Sequence, residues 1–205
     1  MTTVAIQRLN ENVRPALVAH FLALPMKDRY LRFGTSLAPG AITAYVDRID
    51  FERDAVFGVR DDRLALVGAA HLSLEGDLAE VGLSVLPMHR RRGVGGALFS
   101  RAMAHARLRR MPQLLMRFLS GNVPILRIAR KFGMRIIARG SETEAHLALP
   151  PTLAASDELA RPTSYELYHA ARAHRSRVLG RMWSYVELHG AGQDRYAPNA
   201  ARKES

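Results

Sequence analysis

Cysteine is missing from the 205 residues. Disulfides, thiolate metal sites and a cysteine-bound acyl intermediate are therefore excluded. Lysine is scarce, three residues against twenty-seven arginines. Acidic residues are unevenly spread. Between Val81 and Gly140 there is no Asp or Glu, while thirteen Arg or Lys occur. A one-sign stretch of that length attracts anions, and the whole chain carries a formal charge of +11. No apolar run reaches the roughly 18 residues of a membrane helix. The start, Met1-Thr2-Thr3-Val4, has no basic head leading into an apolar stretch. It reads as a chain without a signal peptide, and a soluble, cytoplasmic protein without a membrane partner is expected. Helix-turn-helix, zinc-finger and aromatic RNA motifs are lacking, so nucleic acid is not the expected partner despite the charge. The histidines at 169, 174 and 189 do not share a helical metal-binding spacing, and no metal site is expected.

What is present is a regular alternation of apolar segments and breakers. Val4 to Leu9 reads as a strand. Asn10 or Asn12 caps a helix to about Leu24, with Val13, Leu17, Val18, Phe21 and Leu22 on its inner side. Met26–Phe33 reads as a second helix ending at Gly34, and Ala38–Ile49 as a third. Ala55–Arg60, Leu64–Leu74 and Leu78–Leu86 read as an antiparallel meander turning at Asp61-Asp62-Arg63 and Glu75-Gly76-Asp77. A helix follows from Gly93 to Arg110, with Leu98, Met103 and Leu108 as core candidates. Gln113–Leu119 reads as a strand, and Asn122 to Phe132 as a helix with Ile125, Ile128 and Ala129 inward. A hairpin about Gly140-Ser141 completes a domain spanning residues 1–150. Residues 151–205 read as a linker, a long helix over about 164–189 and a flexible tail. The class is α+β: a mixed, mostly antiparallel central sheet flanked by helices, with a C-terminal helical extension.

One stretch stands apart. After the strand ending at Leu86 come Pro87, then Arg90-Arg91-Arg92-Gly93-Val94-Gly95-Gly96 at the start of a helix. Closely spaced glycines permit a tight turn, and the free N–H groups of a first helical turn face an anion. The spacing is neither the dinucleotide Gly-x-Gly-x-x-Gly fingerprint nor a Walker A loop.

The Arg-x-x-Gly-x-Gly spacing of Arg90, Gly93 and Gly95, after a strand and a proline, resembles the pyrophosphate loop of the GNAT family of N-acetyltransferases. The later run from Asn122 through Lys131, Gly133 and Met134 resembles that family's cofactor-arm element. The early segment Leu24–Phe33 is similar to the bacterial branch that includes protein-lysine acetyltransferase domains. The resemblance covers about residues 4–149. It implies that acetyl-CoA is the cosubstrate. Backbone groups of Leu83 and Val85 would bond its pantetheine arm. Arg90, Arg91, Arg92, Gly93, Val94, Gly95 and Gly96 would wrap its pyrophosphate, and Asn122 would bond the arm.

The implied reaction moves an acetyl group directly to an amine, on a protein lysine or a small molecule, with no covalent enzyme intermediate. Glu80, at the head of the fourth strand, is the candidate general base. Strand alternation puts Glu80, Gly82 and Ser84 on one face, and Val81, Leu83 and Val85 on the other. The family's usual tyrosine acid is absent, because its position holds Ala129. An alternative reading is therefore an acyl-CoA-binding regulatory domain without turnover. His71 could line the acceptor side but reads better as a structural residue, and His89 flanks the loop. Arg29 and Arg32 could meet an acidic group on the acceptor or fix their helix by salt bridges. The tail helix could cover its own domain or form a homodimer.

Overall fold

The computed structural model describes residues 5–150. The expected tail helix, and any dimer formed through it, fall outside that range.

Strand β1 (Gln7–Leu9) leads into a single 3-10 turn at Glu11–Val13. Asn10 opens the turn, and its side chain accepts from the Asn12 N–H at 3.2 Å. Helix α1 (Arg14–Ala23) follows with Pro15 in its first turn. Helix α2 (Met26–Phe33) starts after Pro25 and stops at Gly34, whose φ of +76° makes a left-handed C-terminal cap. Helix α3 is Pro39–Asp47. The meander consists of β2 (Ala55–Arg60), β3 (Leu66–Glu75) and β4 (Leu78–Val85). Then come α4 (Val94–Leu108), β5 (Gln113–Leu119), α5 (Val123–Lys131), β6 (Arg135–Arg139) and β7 (Glu142–Ala148).

The seven strands lie in the order β1-β2-β3-β4-β5-β7-β6. Every neighbour pair is antiparallel except β4 with β5. Each face of the sheet carries its own core. One holds Leu72, Leu83, Met116 and the inner side of α4, including Leu98 and Phe99. The other packs Leu17, Phe21, Ile42 and Val46 of α1 and α3 onto Val56, Leu66 and Ala69. The two halves of the chain thus grip opposite faces and meet at the β4–β5 seam. Among the described residues no helix is long and apolar enough to cross a membrane.

Two expected core residues are exposed. Leu108 is 79% accessible and Leu22 is 38% accessible. The buried stripe of α4 runs Leu98, Ala102, Ala106 at steps of four. Leu108 lies two residues further, roughly 200° around the helix. Leu22 stands one step, roughly 100°, from buried Phe21. Apolar spacing alone did not fix which side of each helix faces the sheet.

Candidate active site

Strands β4 and β5 are neighbours for three rungs only: Leu78 with Gln113, Ala79 with Leu114, and Glu80 with Leu115. Beyond Glu80 both strands continue, β4 on β3 and β5 on β7, but not on each other. The sheet opens there into a wedge. The Leu86 N–H donates to the Val67 carbonyl of β3 at 2.9 Å. Antiparallel alternation then turns the main-chain groups of Val81, Leu83 and Val85 to the opposite edge, facing the wedge. Main-chain groups in such a position require partners. One has a partner within the protein: Arg90 Nε donates to the Val85 carbonyl at 2.9 Å.

The loop after β4 contains a short 3-10 turn, Pro87–His89, which sequence spacing did not reveal. Two nearby residues have positive φ, Arg91 at +62° and Gly93 at +80°. Such kinks turn successive N–H groups toward one side, an anion-binding arrangement. Gly93 is the residue that caps α4, so no side chain occupies the first-turn donors of Val94, Gly95 and Gly96. Arg91 and Arg92 are exposed. Arg90 is directed elsewhere. Its guanidinium grips Asp28 of α2, with contacts at 2.8 and 3.3 Å. The Arg90 N–H is also spent, on the Pro87 carbonyl at 3.2 Å. Gly95 lets α5 approach, since a Cβ there would stand 3.1 Å from Ile128 Cδ1. Lys131 Nζ would lie 4.0 Å from a Cβ at Gly96. Sequence reasoning did not place this further cation, from α5, beside the helix start.

Glu80 sits at the apex of the wedge, 22% exposed. Its Oε2 accepts from Arg117 Nη1 of β5 at 2.8 Å. Among the described residues its Oε1 has no hydrogen-bond partner and is not buried, so water or a ligand can reach it. Arg117 also faces Glu144 of β7 at 3.6 Å. The Glu144 carboxyl is held well below the usual range, at about 2, by the His146 hydrogen bond and then by Arg117 and Arg139, against the opposing effect of burial.

A polar line crosses the face that bears Glu80 and Gly82. Arg32 of α2 lies flat on Gly82, where any Cβ would meet its guanidinium at 2.4 to 2.9 Å. Arg32 Nη2 donates to the Tyr45 hydroxyl oxygen at 3.1 Å. His71 Nδ1 is 2.8 Å from the same oxygen, and its Nε2 is 3.1 Å from Asp54 Oδ2. Burial alone would lower the His71 pKa. Tyr45 and Asp54 outweigh burial and raise it to about 9. His71 thus lies between the Asp54 carboxylate and the Tyr45 oxygen, whose own pKa is lowered, against the opposing effect of burial, by His71 and then Arg32.

A second buried pair was not anticipated. The His20 Nδ1–H donates to the Leu66 carbonyl at 2.9 Å, which leaves Nε2 to accept from Ser84 Oγ at 2.8 Å. Burial is the main cause that lowers the His20 pKa to about 4. These partners stand 46 and 64 residues away in sequence, so no local pattern announces them.

Asn122 is 8% exposed and does two jobs. Its oxygen caps α5 by accepting from the Ile125 N–H at 3.4 Å, and its amide donates to the Leu31 carbonyl of α2 at 3.3 Å. It therefore ties α2 to the far side of the wedge. Ala129 is fully buried. Among the described residues no cluster of three or more His, Asp or Glu could hold a metal ion.

A family model described as an acetyltransferase (GNAT) domain matches residues 5–135. No curated protein matches the chain significantly. Among solved structures, the GNAT domain of PAT from S. lividans superposes with a TM-score of 0.63 at 18% identity, over 72% of this chain and 92% of that one. YncA, a putative acetyltransferase from Salmonella typhimurium solved with acetyl-CoA, gives 0.59 at 17%, over 80% and 99%. A phosphinothricin acetyltransferase from Sinorhizobium meliloti, also solved with acetyl-CoA, gives 0.60 at 16%, over 80% and 98%. At such identities the likeness speaks for the fold alone.

Proposed function

Because the chain belongs to the GNAT acetyltransferase family, we propose that it moves an acetyl group from acetyl-CoA directly to an amine. The observation that carries this reading is the parting of β4 from β5 after Glu80 and Leu115. It leaves an extended strand edge beside a helix start that has no side-chain cap. The pantetheine arm is a chain of amides, which the edge groups of Leu83 and the N–H of Val85 suit. The pyrophosphate is an anion, which the N–H groups of Val94, Gly95 and Gly96 suit, with Arg91, Arg92 and Lys131 adding charge. Arg90 serves the site indirectly, by fixing the end of β4 to α2. Asn122 either keeps its bond to α2 or exchanges it for the arm.

On this reading the amine attacks the acetyl carbon on the side of the sheet bearing Glu80. A C–N bond forms and the C–S bond breaks. The proton lost by the amine goes to Glu80 Oε1, directly or through one water. The CoA thiolate leaves and takes a proton from solvent, since position 129 holds alanine. Positioning supplies much of the rate. Ala129, together with the Arg117 bond on Glu80, also favours a second reading, acyl-CoA binding without turnover. Thiol release from acetyl-CoA across an amine panel separates the two. Turnover that Glu80→Gln lowers by about 10²-fold or more, with CoA affinity unchanged, supports transfer. CoA binding with no amine-stimulated release supports the second reading.

A further inference from the structure

Arg32 is a partly buried cation with no carboxylate. Among the described residues, none of the ion pairs within 4.0 Å includes it. Among the described residues its one hydrogen bond goes to the Tyr45 hydroxyl oxygen, not to a carboxylate. Its Nε is buried without any partner. Among the described residues its Nη1 has no partner either and is not fully buried. An isolated guanidinium held in this way is costly unless an anion completes it.

Yet the side chain is held firmly in place. The rings of Phe33, Phe21 and Tyr45 surround it at 5.0, 5.8 and 5.8 Å. Gly82 makes room beneath it, and the Tyr45–His71–Asp54 line braces it from the side. Arg29, one turn earlier on α2, also has a buried Nε without a hydrogen bond and, among the described residues, no ion pair within 4.0 Å. Of these two cations, Arg32 is the one that lies over β4, at Gly82.

We propose, building on the acetyl-transfer reading, that the acceptor amine carries its own carboxylate, as a free amino acid does, and that Arg32 receives that carboxylate. Glu80 and the seat of Arg32 lie on the same strand face. Glu80 and Gly82 are two residues apart on one strand face, a rise of roughly 6.6 Å. With the Arg32 guanidinium over Gly82, an α-amino group at Glu80 and its carboxylate at Arg32 would lie along that face. A long protein lysine side chain has no charge to give Arg32. Arg32 here is a specificity residue, and Tyr45 positions it.

The test is a panel of free amino acids, each paired with its C-terminal amide, assayed for acetylation. The expected result is a kcat/KM at least tenfold higher for the acids, through KM. Arg32→Gln brings the acid-to-amide ratio close to one and leaves CoA affinity unchanged. Tyr45→Phe, which keeps the ring but frees the guanidinium, lowers the ratio several-fold and serves if Arg32→Gln fails to fold. Equal rates on acids and amides, or a ratio that both variants preserve, overturn the carboxylate assignment alone. Failure to acetylate any amine while CoA binds overturns the transfer reading and this inference together.

Discussion

Arg117 Nη1 donates to Glu80 Oε2 at 2.8 Å, two residues beyond the last rung joining β4 to β5. One guanidinium therefore bridges the strands where their main chains stop doing so. It also fixes which oxygen of Glu80 is free. Removing it leaves the carboxylates of Glu80 and Glu144 without a shared cation. Arg117→Ala is expected to cost about 1–3 kcal/mol in urea unfolding. A double-mutant cycle with Glu144→Gln should show a coupling of at least about 0.5 kcal/mol. Amine turnover should fall with CoA affinity intact, and Arg117→Lys should restore part of it.

Gly93 offers a cleaner test of the loop. Its φ is +80°, and a Cβ there meets nothing within 4 Å. Gly93→Ala therefore acts through backbone strain alone, at about 1–2 kcal/mol. If the turn aims the first N–H groups of α4 at pyrophosphate, the same variant weakens acetyl-CoA binding by calorimetry. Binding as tight as wild type, with the stability loss present, would separate the turn from the ligand.

Stability should peak near neutral pH, because the shifts of His71, His20 and Glu144, among others, pull in opposite directions. The folded pKa of His71 is raised from 6.5 to about 9. Its contribution is complete below 6.5 and lost as pH rises through 9. His20 is lowered from 6.5 to about 4. Its contribution is complete above 6.5 and lost as pH falls toward 4. Glu144, lowered from 4.5 to about 2, adds a loss below 4.5. Urea midpoints from pH 4 to 9.5 should trace this dome. His71→Gln should flatten the alkaline limb and His20→Gln the first part of the acid limb. An alkaline limb unchanged by His71→Gln would contradict the assignment.

Much of this fold is legible in the sequence where punctuation is local. Pro25 and Gly34 bound α2, the expected β2 and β5 spans match the observed ones, and Asn122 caps α5. The loop is legible for the same reason, since glycines and arginines lie together. What stays hidden depends on contacts distant in sequence. Arg90 finds Asp28 across 62 residues, and Asn122 finds Leu31 across 91. The Arg32 seat on Gly82 needs a helix laid across a strand, which no periodicity encodes. Helix spacing narrows the candidates for the core, but the sheet decides among them, as exposed Leu22 and Leu108 show.

The most direct test follows individual main-chain amides while acetyl-CoA is titrated, by NMR with hydrogen exchange. The wedge reading predicts that the N–H groups of Leu83 and Val85 on β4, and of Val94, Gly95 and Gly96 at the start of α4, shift and gain protection together as the ligand saturates. Saturable binding that leaves all five amides unchanged would contradict it.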